Sequence, residues 1–235
     1  MSDTISTLAA AMRADADAVR MIGQNVANAD VTAYRRQVPV QSTTFAELIG
    51  DSAVSTEAAI DRRAGTLKTT GEPLNLALEG DGFFVLQASG GRSVYTRRGD
   101  FRVSAEGLLT AASGEPVLGA SGPIQIGSAI PSIEPDGTVR SGADAIDQLQ
   151  IMHFGDESKL QYLGNGLYAD TGDAAASDAG YAIVRQGFLE TSNVAPVTEM
   201  VQLMETMRHF EAAQRMVRGY DELLQKAISE LGKAR

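Results

Sequence analysis

From Pro196 to its C-terminus the chain repeats apolar side chains at spacings of three and four: Leu203, Met207, Phe210, Ala213, Val217, Tyr220, Leu224, Ala227 and Leu231. That period places them on one face of a helix of about 35 residues, roughly 50 Å long. Pro196 marks its start, because proline at the first helical position lacks only an N–H that had no partner there. Glu199 follows in the first turn, where negative charge suits the helix dipole. A globular domain rarely needs a terminal helix of this length, whereas a seam against another helix does.

The opposite end of the chain supplies a matching stripe. Ile5, Leu8, Met12, Val19, Ile22 and Val26 fall on a heptad grid whose one polar member is Asp15. Gly23 weakens this helix by about 1 kcal/mol relative to alanine, and Asn25, Asn28 and Asp30 favour its termination there. Isolated helices of this kind are marginal and depend on a partner. If the middle of the chain folds out and returns, the two ends meet as an antiparallel coiled coil. Periodicity alone leaves open the alternative of two helices lying separately on a central domain.

Between the ends the composition changes. All seven prolines lie from Pro39 to Pro196, and of 24 glycines only Gly23, Gly219 and Gly232 fall in the end segments. The net charge of −10 also belongs to the middle, since residues 1–36 carry four basic and four acidic side chains and residues 197–235 carry six of each. An acidic chain with neutral helical ends lacks the basic footprint that nucleic acid requires.

Residues 31–70 read as an extended, Ser/Thr-rich connection with short strands. Beyond them, short apolar runs alternate with turn clusters: Leu74–Leu78, Phe83–Leu86, Val94–Arg97, Phe101–Val103, Leu108–Thr110, Val117–Leu118, Ile124–Ile126, Leu149–Phe154 and Tyr181–Val184. That spacing predicts an all-β region, a sandwich or barrel-like sheet. The fold class expected is therefore α+β, a β-rich domain inserted between terminal helices. Its parts are a helical domain (1–30 with 197–235), a connecting region (31–70 with 181–196) and a β-rich domain (71–180).

Chemistry-bearing motifs are sparse. His153 and His209 stand apart in sequence, with no second ligand at metal spacing. Gly164–Ala169 matches a loose dinucleotide pattern, but no helix follows it, which favours a hairpin turn. Asp170, Asp173 and Asp178 lack the regular spacing of a calcium loop. There is no cysteine, no nucleophile elbow and no phosphate-binding loop. No apolar run is long enough to span a membrane, and the N-terminus lacks the form of a secretory signal. We therefore expect no catalytic residue, cofactor, metal or small-molecule substrate.

Several stretches carry a resemblance. Ile22-Gly23-Gln24-Asn25-Val26-Ala27-Asn28 is followed by Thr32, Tyr34 and Arg35; Leu74–Phe84 contains Gly80, Gly82 and Phe83; Tyr95-Thr96-Arg97 precedes Gly99 and Phe101. Gln186-Gly187-Phe188-Leu189-Glu190, then Ser192-Asn193-Val194, Pro196, Glu199, Arg208 and Phe210-Glu211, complete the pattern. Together they resemble the axial proteins of the bacterial flagellum, the rod and hook subunits. Ala33 departs from that pattern, which usually has glycine there. A left-handed turn would strain alanine, so the backbone after Asn28 is expected to differ.

The resemblance implies a structural subunit of the basal-body rod without enzymatic activity. Such a subunit polymerises through its terminal helices with other rod subunits and with further copies of itself. It also implies passage through the flagellar type III export apparatus in place of a cleaved signal peptide, and a periplasmic location beneath the hook. Length fits the proximal rod protein best, with the distal rod subunit as the alternative. Readings from other classes are an exported β-domain adhesin or carbohydrate binder, and a β-fold hydrolase using acidic residues.

Overall fold

The computed structural model describes residues 2–41, 56–127, 130–155, 160–170, 172, 176–178 and 182–233. The chain divides into two compact units. One comprises Met1–Ala29, Arg36–Asp61 and Val194–Arg235, and the other comprises Asp30–Arg35 and Arg62–Asn193.

The first unit is built on two helices, Ser2–Ala27 and Pro196–Lys233, of 26 and 38 residues. The first ends where the sequence places polar stop residues: the Asn28 side-chain amide donates to the Gln24 carbonyl at 2.7 Å, a second bond on an oxygen that also accepts the Asn28 backbone amide at 3.1 Å. The second begins at Pro196, as predicted, and the Glu199 amide donates the first intrahelical bond to the Ala195 carbonyl at 3.1 Å. A short antiparallel ribbon, Gln37–Gln41 with Thr56–Ile60, completes the unit.

The second unit is strand-rich, and every strand pair in it is antiparallel. Its largest sheet has six strands, in the spatial order Leu160–Gly164, Leu167–Asp170, Ser93–Thr96, Phe83–Gln87, Ile151–Phe154 and Ala176–Asp178. Smaller ribbons pair Leu76–Glu79 with Ile183–Gln186 and Leu67–Thr69 with Phe188–Glu190. The α+β class expected from sequence is met, with terminal helices flanking a strand-rich middle. The described strands do not gather into two comparable sheets as a sandwich would, because many are only two or three residues long and end at a turn. Ile124–Ile126 makes only a single bridge, Gln125 to Leu108. The Gly164-Asn165-Gly166 segment is the hairpin turn that the sequence favoured.

The core of this unit is aliphatic and aromatic, with Leu76, Phe84, Leu86, Leu109, Val117, Ile124 and Val139 fully buried. Phe84 meets Phe101 edge to face at 5.1 Å, a geometry that suits the ring quadrupoles. Gly99 is required by close approach: a Cβ there would lie 1.7 Å from the Leu76 carbonyl oxygen, while the Gly99 carbonyl accepts from the Leu76 amide.

Ala33 corrects an expectation. Its φ is 53°, so the backbone keeps the left-handed turn despite the side chain. Two features hold it there: the methyl group is buried, and the Ala33 amide donates to the Glu190 carbonyl at 2.8 Å.

Candidate functional site

In the helical unit the two long helices lie side by side. Asp15 meets His209 and Asn25 meets Glu199, so advancing ten residues along one helix retreats ten along the other. They are therefore antiparallel. Of the residues proposed for the seams, Ile22 is buried, and Leu8, Met12, Val19, Val26, Leu203, Phe210, Val217 and Tyr220 are half-buried. Ile5, Met207 and Leu224 are exposed, at 46%, 49% and 39%. The side chain of Leu231 lies outside the described residues.

A polar cluster sits at one end of this pair. Asn25 is 1% exposed; its amide nitrogen donates to the Gln37 carbonyl at 2.8 Å and to Glu199 Oε2 at 3.1 Å, while its oxygen accepts from the Gln37 amide at 2.8 Å. Glu199, equally buried, also accepts from Arg36 Nε, and Arg36 Nη2 donates to Gln202 at 2.8 Å. A buried carboxylate without partners would be costly. Here a guanidinium, an amide and the start of a helix surround it. The side chain of Asn25 thus joins the chain that leaves the first helix to the first turn of the last.

Toward the other end of the pair lies a mainly apolar groove of about 550 Å³, lined by Ile5, Leu8, Ala11, Met216, Val217 and Tyr220 together with Thr7 and Asp221. A second apolar stripe, Val197, Met200, Val201 and Met204, runs along the first turns of the C-terminal helix and is exposed. Ala27, the last residue of the first helix, is exposed too.

The remaining motif residues organise the β unit. The Gln186 side chain donates to the carbonyls of Pro73 (2.7 Å) and Pro131 (2.9 Å) and accepts from the Ile133 amide (3.1 Å). Gly187, at φ 80°, donates to the Asn75 carbonyl, and its own carbonyl accepts from the Thr70 and Gly71 amides. Asn193 donates through its side chain to the Arg63 carbonyl and through its backbone to Tyr34, beside Ser192. Phe83 packs edge to face on Phe154 and Tyr168.

Glu190, Arg97 and Arg35 form a buried ion triad that residue spacing did not reveal. Arg97 Nε donates to Glu190 Oε2 at 3.0 Å, its Nη1 to the carbonyls of Gly80 and Gly82, and its Nη2 to that of Leu78. Arg35 approaches Glu190 Oε1 at 3.1 Å, and the Gly65 amide donates to the same oxygen at 3.0 Å. The available signal was a glutamate closing an apolar strand and an arginine closing another, both inside the motifs.

Among the described residues no three metal-ligating side chains gather. His153 lies in the strand Ile151–Phe154 and His209 in the helical unit; Asp173 lies outside the described residues. Burial, with Asp170 nearby, pushes the Tyr95 hydroxyl up. Hydrogen bonds from the Thr138 amide and hydroxyl hold Asp136 below the usual carboxylate range, and the Ser104 hydroxyl does the same for Glu106.

Comparison with known proteins decides the family. A profile described as "Flagellar basal body rod FlgEFG protein C-terminal" matches residues 185–230, and one described as "Flagellar hook protein FlgE/F/G D1 domain" matches residues 77–141. The flagellar basal-body rod protein FlgF of Caulobacter vibrioides is 34% identical over 231 residues, covering 91% of each chain. This chain belongs to the flagellar basal-body rod protein family. FlgF of Salmonella typhimurium is 33% identical, covering 84% of this chain and 86% of that one. FlgG of Buchnera aphidicola (Schizaphis graminum) is 32% identical, covering 77% and 73%. The first profile takes in the whole segment from the Gly187 turn through the shared first turn of the last helix; the second takes in Gly80, Gly82 and Arg97.

Proposed function

We propose that this chain is a structural subunit of the proximal rod, one segment of the shaft joining the flagellar motor to the hook. The observation that carries this is the end-to-end similarity to FlgF proteins, with both terminal helices inside it. The helices pair as an antiparallel coiled coil, and residues 1–30 with 197–235 serve as the assembly domain. Residues 31–70 with 181–196 connect it to an outer β domain, residues 71–180. Assembly with neighbouring rod subunits and with further copies covers the apolar side chains that the helical pair leaves exposed, each buried side chain contributing about 1.5–3 kcal/mol. The subunit reaches the periplasm through the flagellar type III apparatus without a cleaved signal, and it performs no catalysis. Similarity to FlgG proteins supports the distal rod as a second position.

Leu224, exposed on the helical pair, supplies the test. Leu224→Asp is expected to abolish incorporation into purified basal bodies while the β unit keeps its cooperative unfolding. Normal basal bodies containing this variant would contradict the assignment. Cross-linking of the incorporated native chain to rod neighbours separates the proximal from the distal position.

A further inference from the structure

Resting on the helix-pairing reading, we propose that Asp15–His209 and Asn25–Glu199 together act as a two-point lock that selects the register and the face of the helical pair. Asp15 interrupts the apolar grid of the first helix, and its side chain is only 15% exposed. His209 Nδ1 lies 2.6 Å from its Oδ2 and donates to it in either the imidazolium or the Nδ1–H tautomer. The two pairs are separated by ten residues on each helix, so one register satisfies both.

A four-residue slip in either direction keeps neither pair. A forward slip of four residues puts Asp15 opposite Ala213 and Asn25 opposite Leu203, and a forward slip of one heptad puts them opposite Met216 and Thr206. The reverse slip brings Asp15 to Glu205 and carries Asn25 past Pro196, where the helix cannot continue. Each leaves a polar side chain in the seam without its partner, a penalty that an all-apolar seam would not carry. The same pairs choose between faces. The first turns of the C-terminal helix bear the second stripe Val197, Met200, Val201 and Met204, on which an apolar seam could also pack. Glu199 lies off that stripe, and it binds Asn25 on the inner face. The lock keeps the methionine stripe outward in every copy, which identical subunits need if they are to pack equivalently. The Asn25–Glu199 pair is buried, whereas in the other pair His209 is 66% exposed and only Asp15 is largely covered; a polar group in a seam that fixes register at some cost in stability is the best-attested use of such residues.

Because the chain has no cysteine, engineered pairs in the full-length protein report register directly. Leu8→Cys with Val217→Cys, which line one groove, reports the native register, and Leu8→Cys with Leu224→Cys reports a heptad slip. In the native background the first pair is expected to close and the second to stay open. In Asp15→Leu/His209→Leu, the slipped disulfide is expected to rise at least tenfold relative to the native one, while the thermal midpoint of the helices rises. The exchanged pair Asp15→His/His209→Asp is expected to restore the native ratio. Loosened packing alone would lower the midpoint, so the opposite signs distinguish selection from support. An unchanged ratio in Asp15→Leu/His209→Leu overturns the lock alone. Failure of the native pair to close in the native background overturns the helix pairing, and the lock with it.

Discussion

The β unit and the helical unit bury different things. In the β unit, consecutive residues such as Phe83–Leu86 are buried, aromatic rings meet edge to face, and the deeply buried carboxylate of Glu190 is matched by two arginines. Among the described residues of the helical unit, the buried apolar side chains are Met21, Ile22, Val194 and Ala213, and the most buried side chains of all are polar, Asn25 and Glu199. Among the described residues, most of the exposed large apolar side chains, including Val197, Met200, Met204, Met216 and Leu223, belong to it. One unit is completed by its own core. The other is oriented by a polar cluster at one end and leaves much of its apolar surface uncovered, as expected of a part that is finished by neighbours.

Substitutions can break this contrast or sharpen it. Glu190→Ala leaves Arg97 and Arg35 without their carboxylate, and removing one partner of a buried ion pair costs about 3–5 kcal/mol. Denaturant unfolding of the β unit is expected to shift by that amount; a shift under 1 kcal/mol would show that the triad is not what closes that unit. Ala33→Gly releases a left-handed alanine. The released strain exceeds the lost methyl burial and the added chain entropy, for a gain of about 0.5–1 kcal/mol in the same assay. Met204→Ser removes an exposed side chain and is expected to change monomer stability by less than about 0.5 kcal/mol. A larger loss would mean that the stripe is already covered within the monomer.

The smallest effect concerns the Pro135-Asp136-Gly137 turn. Asp136 is held below its ordinary pKa by bonds from Thr138, so its contribution is full above the ordinary value and is lost as pH falls through the depressed one. Asp136→Asn is expected to flatten the acid limb of the stability–pH curve. An identical limb in the variant would remove this turn from the acid response.

Much of this was legible in the sequence because it depends on local rules. Pro196 marks a helix start wherever it falls, the period of the last helix needs no tertiary knowledge, and Gly164-Asn165-Gly166 describes its own hairpin. The family pattern located Asn25 and Gly187 without giving their tasks. Those tasks are long-range: Asn25 is defined by Gln37 and Glu199, and Gly187 by Asn75 and Thr70. Periodicity also does not separate the two apolar stripes of the last helix: spacing assigns Met207 to the inner face, although half its surface is open. Ala33 shows the limit from the other side. A residue that dislikes a conformation still adopts it when its amide bond and its buried methyl group are both satisfied there.

The hydrogen bond from Asn25 to Glu199 joins residues 174 positions apart. A chain delivered head first would therefore hold its leading helix idle until nearly all the rest had arrived. Residues 62–193 are contiguous and can settle early, whereas closing so wide a loop must wait for the tail. Such an order of emergence would make the helical unit the last part of the molecule to mature.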